Sequence, residues 1–445
     1  MELAALGRGV TGDSPGTEEE LSDRRLLQRT LAETIRPERG EIPAFIFTSP
    51  QVYELELERI FARCWLVVAH ESEVLEPGDY VTRFMGEDPV IVCRGEDGRI
   101  RVFLNVCRHR GMRMCRVDLG NTSHFRCPYH GFTYDNGGRL IGVPFQSEVY
   151  GADFDRSRLS LLEARCATYA GLVFATWAPA GETLEQYLGD MRWYLDLLLG
   201  RAEMEVAGPP QRWVVETNWK LPADNFASDA YHTATTHASL AAIGLVPTID
   251  FGKAGVQISA GNGHGLGIGL GAGPVMPPEL RALYERHLTP EQMQLWTQIQ
   301  NLHATVFPNC SLLLTSAAVI DGERVAHTTL RLWQPRGPEK IEIWSWLLLE
   351  RDADAWRKAL VRRAYTLTFG SSGILEQDDT ENWTQIMAAT RGVIARSALR
   401  FDYTMGLGRE VLVGDFPGPG RVLNTKFQEA NSRAFFRRWR ELVLS

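Results

Sequence analysis

The chain has 445 residues, 44% hydrophobic and 23% charged, so it can bury a sizeable core and is long enough for two or three domains. Its formal net charge of -8 argues against general attraction to nucleic acid, and no run of about eighteen apolar residues predicts a membrane span. Seven sparsely spaced cysteines argue against a disulfide framework and fit a reducing compartment such as the cytoplasm.

Helical and extended patterns follow one another irregularly along the chain. The first 61 residues predict a solvated tail leading into helices, and residues 62–180 predict a compact β module of short strands broken by turns. Residues 181–445 predict helices near 182–202, from Pro222 and around 353–369, with strands at 212–221, 311–332 and 340–350. Strands and helices without a regular βαβ rhythm favour an α+β fold with an antiparallel sheet.

Glycine occupies every second position of GNGHGLGIGLGAG, residues 261–273. Because all these glycines lie at odd positions, the dinucleotide-binding pattern G-x-G-x-x-G cannot be satisfied. The alternation predicts a flexible loop or an extended lid instead. No nicotinamide or flavin site is evident, so any electrons for redox chemistry must come from outside the chain.

Two short motifs each pair one cysteine with one histidine: Cys107-Arg108-His109 and Cys127-Pro128-Tyr129-His130. A zinc finger would instead place two cysteines in one pair and two histidines in the other. The mixed pairing fits a Rieske [2Fe–2S] cluster, in which two thiolates hold one iron and two imidazoles hold the other. Each motif leads into a glycine that permits a tight turn, and apolar alternation on both sides predicts flanking β-strands. Any one of these residues alone would be better explained by packing.

A second candidate metal site lies in ADNFASDAYHTATTH, which contains Asp229, His232 and His237. Asp229 and His232 are three residues apart and share a helix face, whereas His237 is rotated from His232 by about 140° on an ideal helix. The helix must therefore bend or end between the histidines if both bind one metal. Two histidines and a distant carboxylate would give the facial triad of non-haem Fe(II) oxygenases. The acidic segment LEQDDTENW could supply that carboxylate, and spacing does not choose between Asp378 and Asp379.

With these motifs the chain resembles the large (α) subunits of Rieske non-haem iron aromatic-ring-hydroxylating dioxygenases of the naphthalene, biphenyl and polycyclic type. The similarity covers roughly residues 40–440, through CRHRG, CPYHGFTYDNGG, NWKLPADNFASDAYHTATTH, ATVFPN and FGSSGILEQDD. It implies a β-rich Rieske domain at 62–180 and a catalytic domain at 181–445 with a helix-grip-like antiparallel sheet covered by helices. Residues 1–61 would pack on the catalytic domain.

The resemblance also implies which residues bind the metals. One [2Fe–2S] cluster would be held by Cys107, His109, Cys127 and His130, and one mononuclear Fe(II) by His232, His237 and Asp379. Asp229 matches the aspartate that links a cluster histidine of one subunit to an iron-bound histidine of its neighbour, and Asn225 matches a residue close to the iron. Two departures from the family pattern, Ser228 for glycine and Asp224 for glutamate, are not at ligand positions.

The implied reaction is O₂-dependent cis-dihydroxylation of an aromatic ring, with electrons delivered by a ferredoxin and a reductase and originating in NAD(P)H. The implied assembly is an α₃β₃ hexamer with a small β subunit in the bacterial cytoplasm. Three alternatives remain open: dioxygenation of an aromatic carboxylate such as phthalate, a Rieske monooxygenase or demethylase, and a zinc-binding scaffold without activity. A stand-alone Rieske electron carrier would leave some 260 residues unexplained.

Positions near the motifs suggest a substrate pocket lined by Phe226, Thr233, His303, Leu313, Phe369 and Leu375. Most are apolar, which favours an unfunctionalised mono- or polycyclic aromatic compound, although plain core packing explains them equally well. His303 is explained as well by a structural role as by orienting a polar substrate. No arginine stands among these positions, which argues against a carboxylated substrate. Residues 241–290 are expected to cover the pocket entrance.

Overall fold

The computed structural model describes residues 18–151, 153–242, 255–271 and 276–445. Within these ranges the chain forms two compact units. Among the described residues, the smaller unit is Phe61–Leu184, and the larger one combines residues 18–60 with Glu185–Ser445.

In the part of the chain that the structure describes, α-helices are concentrated in the larger unit, and one α-helix lies wholly within the smaller unit. In the described part of the chain, none of them is both long enough and apolar enough to cross a membrane. The helices are α1 (Glu18–Thr34), α2 (Pro50–Glu56), α3 (Gln146–Val149), α4 (Leu184–Leu188), α5 (Met191–Leu199), α6 (Lys220–Ser228), α7 (Thr233–Thr236), α8 (Ala238–Ala242), α9 (Arg281–His287), α10 (Pro290–Trp296), α11 (Ala355–Thr368), α12 (Ile374–Thr390), α13 (Val393–Ala398) and α14 (Ala430–Leu444).

The strands are short in the smaller unit and reach thirteen residues in the larger one. They are β1 (Glu41–Pro43), β2 (Leu66–His70), β3 (Asp79–Met85), β4 (Asp88–Arg94), β5 (Ile100–Leu104), β6 (Leu119–Asn121), β7 (His124–Arg126), β8 (Thr133–Asp135), β9 (Leu140–Gly142), β10 (Glu163–Tyr169), β11 (Leu172–Thr176), β12 (Met204–Val206), β13 (Gln211–Val215), β14 (Val256–Ser259), β15 (Gly265–Leu270), β16 (Ile299–Val306), β17 (Cys310–Ile320), β18 (Glu323–Pro335), β19 (Ile341–Glu350), β20 (Arg400–Asp402) and β21 (Arg421–Leu423).

The smaller unit consists of two antiparallel sheets. Seven strands form one sheet in the order β2-β11-β10-β5-β4-β3-β6, and β7, β8 and β9 form the other. The sequences GEDGR and YDNGG form the turns that connect β4 to β5 and β8 to β9, because Asp-Gly and Asn-Gly sequences adopt the backbone angles of tight hairpins. The cysteine–histidine motifs follow β5 and β7, so each is presented by a loop at the end of a strand.

The larger unit is built on an antiparallel sheet in the order β12-β19-β18-β17-β16-β15-β14-β21, with β13 also paired to β19. Helix α6 packs on β15, β16 and β17, and helix α11 packs on β17, β18 and β19. Helix α14 packs on α6, β14 and β15. The predicted α+β class, with an antiparallel sheet covered by helices, is confirmed.

The interpretation of the glycine-rich segment as a flexible loop or lid is wrong for its central part. Residues Gly265–Leu270 form β15, which pairs with β14 on one side and β16 on the other. A side chain at Gly267 would place its Cβ only 2.3 Å from Nε2 of His303, which lies opposite on β16. The alternating glycines therefore clear one face of the strand for side chains of its neighbour. Residues 243–254 and 272–275 of the expected covering segment lie outside the described residues.

A buried ion pair joins helices α2, α6 and α14. Nζ of Lys220 lies 2.5 Å from Oε1 of Glu56, and both side chains are fully buried. The indole nitrogens of Trp219 and Trp439 donate to the same carboxylate, each at 2.8 Å. Three donors thus satisfy the Glu56 carboxylate away from water, as a buried charge requires.

Candidate metal centres

The two cysteine–histidine loops have the same backbone construction. The N–H of Cys107 donates to the carbonyl oxygen of Met112, and the N–H of Cys127 donates to that of Phe132, each at 2.8 Å. In each loop the glycine four residues after the cysteine has a φ of 74° and donates back to the cysteine carbonyl, at 2.9 and 3.0 Å. The positive φ explains why both motifs end in glycine. The two loops therefore hold the paired ligand types in equivalent positions.

The two loops bring like side chains together, histidine with histidine and cysteine with cysteine. The imidazole rings of His109 and His130 have centroids 4.6 Å apart, and the thiols of Cys107 and Cys127 interact with each other. Both cysteines are only 2% exposed. The ring of His109 stacks on Phe132 with 4.5 Å between centroids and 6° between planes, which fixes its orientation.

The chemistry of this donor set fits a [2Fe–2S] cluster. Two buried thiols and two imidazoles are the ligands of a Rieske centre. Nδ1 of His109 is buried and has no hydrogen-bond partner among the described residues, which is costly unless the nitrogen coordinates a metal. Burial, followed by the neighbouring His130, lowers the pKa of His109 and so favours the neutral imidazole that coordination requires.

At the second centre, helix α6 ends before the histidines. It stops at Ser228, and Asp229 follows with the non-helical angles φ −84° and ψ 75°. The single turn of α7 then lies between His232 and His237. The helix was predicted to bend or end between the two histidines, but it ends before both of them, and Asp229 and His232 do not share a helix face. They meet because the Asp229 carboxylate caps the turn, accepting the backbone N–H of His232 at 3.1 Å.

The structure brings His232, His237 and Asp379 together, with one ligand atom from each within 4.8 Å of the others. Oδ1 of Asp379 is 3.2 Å from Nε2 of His232 and 3.4 Å from Nε2 of His237. Asp379 reaches this position from α12, so the carboxylate is supplied from far along the chain. Of the two aspartates that spacing left open, Asp379 is the one that meets both imidazoles.

In both imidazoles the nitrogen that points away from Asp379, Nδ1, has a hydrogen-bond partner. Nδ1 of His232 lies 2.5 Å from the carbonyl oxygen of Asp229, and Nδ1 of His237 lies 3.1 Å from Oδ2 of Asp378. In the neutral imidazole the proton stays on Nδ1, so Nε2, which faces Asp379, is the nitrogen that would bind a metal. Such partners orient metal-binding histidines and increase their basicity. The Asn225 amide donates to Asp229 Oδ2 at 3.3 Å and so supports the first of these contacts.

The charges at this centre are strongly coupled. Burial raises the pKa of Asp379, but hydrogen bonds from both histidines outweigh burial and hold the pKa well below its usual range. Burial lowers the pKa of His232, but Asp229 and Asp379 outweigh it and raise the pKa to about 10. Without a metal the carboxylates thus retain protons on the imidazoles, and a divalent cation would replace those protons. Two imidazoles and one carboxylate fit a non-haem Fe(II) site.

Comparison with known proteins identifies the family. Residues 184–445 match the family described as ring hydroxylating alpha subunit (catalytic domain), and residues 64–159 match the Rieske [2Fe-2S] domain. The chain belongs to the ring-hydroxylating α-subunit family.

Relatives span nearly the whole chain. The α subunit of chlorobenzene dioxygenase from Cupriavidus sp. (strain PS12) is 39% identical, over 91% of this chain and 92% of that protein. The α subunit of N,N-dimethyl phenylurea N-demethylase from Sphingobium sp. (strain YBL2) is 34% identical, over 90% and 91%. The crystal structure of naphthalene 1,2-dioxygenase from Rhodococcus sp. bound to indole has a TM-score of 0.90 and 43% identity, over 94% of this chain and 98% of that one.

Membership confirms the predicted class and cofactors. This α subunit is an oxidoreductase, the terminal component of a Rieske-type ring-hydroxylating oxygenase. It carries one [2Fe–2S] cluster and one mononuclear iron. The α subunits of this family work in multicomponent systems that supply their electrons.

Four of the six predicted pocket residues of the α subunit are joined by contacts or strand pairing. His303 Nδ1 donates to the carbonyl oxygen of Phe226 at 2.9 Å, and His303 pairs with Leu313 across β16 and β17. The guanidinium of Arg331 lies 5.3 Å from the ring of Phe226 and 5.4 Å from that of Phe369.

The other two pocket candidates stand beside the proposed iron ligands in the chain. Thr233 directly follows His232, and its hydroxyl donates to the carbonyl oxygen of Ala230 at 2.6 Å. Leu375 is buried in the first turn of α12, four residues before Asp379.

Sequence reasoning missed four side chains at these centres. Tyr134 Oη lies 3.5 Å from Sγ of Cys107, whereas Tyr129, inside the second motif, is tilted by 36° against the ring of His130 and is 59% exposed. The partner role of Asp378 was also missed, as were Arg331 and Glu376. One signal was available: Arg331 stands between leucines in the apolar strand TTLRLWQ, where a charge requires a buried partner.

None of the six predicted pocket positions is an arginine, but Arg331 lies against two of them, Phe226 and Phe369. Its charge is paired with Glu376, and both side chains are fully buried. Arg331 therefore does not offer a free cation to a carboxylated substrate.

Proposed function

We propose that this α subunit catalyses O₂-dependent cis-dihydroxylation of an apolar mono- or polycyclic aromatic hydrocarbon. The observation that carries the proposal is the convergence of His232, His237 and Asp379 in a chain that also brings together two cysteines and two histidines. The relatives described above are named for chlorobenzene and naphthalene, which supports a substrate of this class.

The proposed ligands divide between the two units. Residues 62–180 form the Rieske domain, with Cys107, His109, Cys127 and His130 as cluster ligands. Residues 181–445 form the catalytic domain, with His232, His237 and Asp379 as ligands of Fe(II), and residues 1–61 belong with it. When bound, the mononuclear iron supplies a site for O₂, and the cluster supplies electrons one at a time.

Within the chain, Asp229 and Asn225 orient the iron-binding His232 and link the iron site to its electron donor. The Asp229 carbonyl holds the imidazole of His232, while its carboxylate is 40% exposed in this chain. An exposed carboxylate bonded to a ligand histidine can accept a hydrogen bond from a neighbouring subunit. We therefore assign Asp229 as the route by which electrons enter from the cluster of the neighbouring α subunit. Asn225 holds that carboxylate in place through its amide.

Apolar burial positions the substrate in this proposal. Phe226, Leu313, Phe369 and Leu375 are each between 4% and 8% exposed, and they present aromatic and aliphatic surface. Such surface binds an aromatic ring mainly through the hydrophobic effect. His303 is held neutral, because burial lowers its pKa to about 4, so it offers a polar contact without a charge. Thr233 completes the set beside His232.

The partners follow from the chemistry. The described residues include no nicotinamide or flavin fingerprint, so a ferredoxin and its reductase deliver electrons that originate in NAD(P)H. The relatives are named as α subunits, which supports a small β subunit and an α₃β₃ hexamer. None of the seven cysteines, all of which lie among the described residues, forms a disulfide, which supports the reducing bacterial cytoplasm as the location.

Iron analysis and oxygen labelling test this function together. We expect three irons per chain, two in the cluster and one that a chelator removes while the visible absorbance of the cluster remains. With ¹⁸O₂, a surrogate ferredoxin system and naphthalene or biphenyl, the dihydrodiol should contain two labelled oxygen atoms. A His237→Ala variant should keep the cluster absorbance, lose the third iron and form no diol. Diol formation by that variant would contradict the ligand assignment.

The N-demethylase among the relatives makes monooxygenation the second candidate function. A monooxygenase inserts one atom of O₂ and releases the other as water. The labelling experiment separates the two functions, because a product with one labelled oxygen, or release of formaldehyde from an N-methyl aryl substrate, would favour demethylation.

A further inference from the structure

One buried guanidinium contacts three elements of the catalytic unit. Arg331 of β18 forms an ion pair with Glu376 of α12, and both side chains are 0% exposed. Nη2 of Arg331 also donates to the carbonyl oxygen of Phe369, between α11 and α12, at 2.8 Å. The cation lies near the rings of Phe226, on α6, and Phe369. The arginine thus connects the helix that precedes His232 with the helix that carries Asp379.

The contact to Glu376 bears directly on Asp379. The two residues are three apart on α12, so they lie on one face of the helix, about one turn from each other. Because its carboxylate is paired with Arg331 of the sheet, Glu376 sets the distance of this turn of α12 from the sheet and the rotation of the helix about its axis. Asp379 is then held at the distance from the sheet at which it meets both histidines.

Stability alone is a weak explanation for this pair. Replacing a buried ion pair by apolar residues of similar volume is often neutral or stabilising, because removing two charges from water costs more than their attraction returns. Nε of Arg331 and Oε1 of Glu376 have no hydrogen-bond partner among the described residues, which increases that cost. Because the pair is expected to add little to the stability of the fold, its effect on the position of α12 is the better explanation for it.

We propose that Arg331 and Glu376 are positioning residues that set the place of the Asp379 carboxylate at the mononuclear metal site. The proposal rests on the ligand role assigned to Asp379 above. Neither residue is proposed to touch the substrate or the metal. Their effect passes through the first turns of α12 and through the carbonyl group of Phe369.

Metal affinity tests the proposal without relying on turnover. The protein is depleted of mononuclear iron, with its cluster retained, and titrated anaerobically with Co(II), whose absorbance reports binding. In Arg331→Met/Glu376→Leu, apolar side chains of similar size replace the pair. We expect Co(II) to bind this variant tenfold to a hundredfold more weakly than the parent, as is usual when the partner of a metal ligand is lost. A loss smaller than fivefold would overturn the proposal.

A second buried ion pair in the same unit provides the matched control. Arg201 and Glu350 lie 2.7 Å apart, with side chains 3% and 9% exposed. Arg201→Met/Glu350→Leu should leave Co(II) affinity within twofold of the parent. An equal loss in this control would show that removing any buried pair weakens the site, and would also overturn the proposal.

Milder variants keep the test decisive if the double variant does not fold. Glu376→Gln keeps the shape but not the charge, and Arg331→Lys keeps the charge but not the planar fork that reaches two acceptors. Each should bind Co(II) at least fivefold more weakly with unchanged cluster absorbance, and parent-like affinity in both would overturn the proposal. Asp379→Ala separates the two levels of inference, because parent-like binding by that variant would reject the ligand assignment itself.

Discussion

At the scale of single residues, the two proposed iron-binding histidines are oriented by different kinds of partner. His232 is held by the backbone carbonyl of Asp229, which no side-chain substitution removes. His237 is held by the side chain of Asp378, which is 27% exposed. The second contact is therefore accessible to mutation and the first is not.

We expect Asp378→Ala to weaken binding of the mononuclear metal by tenfold to a hundredfold, because the imidazole of His237 loses the carboxylate that orients it. Asp378→Asn should lose less, since its amide oxygen can still accept from Nδ1. Anaerobic titration with Fe(II), with cluster absorbance as the internal standard, measures both. Equal affinities in Asp378→Ala and the parent would show that packing alone orients the ring.

At the scale of elements, the sequence predicts most of what depends on local pattern. The cysteine–histidine loops and the helix near 353–369 follow from spacing and periodicity, whereas the end of α6 before both histidines does not. The role of β15 does not, because alternating glycines are equally compatible with a loop and with a strand that faces bulky neighbours. The choice depends on His303, which lies opposite Gly267 but 36 positions further along the chain.

The sequence does not reveal the residues that position Asp379, for the same reason. The resemblance to the family implied which aspartate is the ligand, but the contact between Arg331 and Glu376 joins residues 45 apart in sequence. Nothing in the local pattern of α12 indicates which strand it meets. Such pairings become visible only once the order of strands in the sheet is known.

The buried imidazole of His264 also joins residues that are distant in sequence. It connects α4, the turn before β15 and the residue that follows β16. Its Nε2 donates to the carbonyl oxygen of Tyr187 at 2.8 Å, and its Nδ1 accepts the N–H of Phe307 at 2.9 Å. This arrangement admits only the neutral ring, because a proton on Nδ1 would face the N–H of Phe307. Burial accordingly lowers the pKa of His264 to about 4.

This pKa predicts loss of stability in mild acid. Above pH 6.5 the ring is neutral in both the folded and unfolded states, so its full contribution is present. Between pH 6.5 and 4 only the unfolded state takes up the proton, so stability falls as pH decreases. From pH 7 to 5 the free energy of unfolding should drop by about 2 kcal/mol through His264 alone. Urea unfolding at the two pH values should show a smaller drop in His264→Gln, and equal drops would contradict the assignment.

At the scale of the whole molecule, the chain supplies two metal centres from two compact units. In the proposed assembly each iron site receives electrons from the cluster of a neighbouring subunit through Asp229. This arrangement makes activity a property of the oligomer, because the cluster and the iron site that work together belong to different chains.

Mixed assemblies test this arrangement. Asp229→Asn should retain both metals and lose nearly all turnover, and Cys107→Ser should lose its cluster. In hexamers assembled from both variants, an intact cluster can lie beside an intact Asp229, so part of the activity should return. Diol formation in co-expressed and singly expressed preparations measures the effect. No recovery in mixed hexamers with both chains verified by mass spectrometry would place the electron path within one chain.

The Glu56 carboxylate, shared by Lys220, Trp219 and Trp439, has a consequence for how the protein is made. One of its donors is translated long after the others, so the larger unit cannot close its interior until the ribosome has passed residue 439. Residues 61–184 need no such wait, because their sheets are complete once that stretch has emerged. During synthesis, the half-built larger unit therefore exposes apolar surface, and chaperone supply should govern the yield of recombinant enzyme.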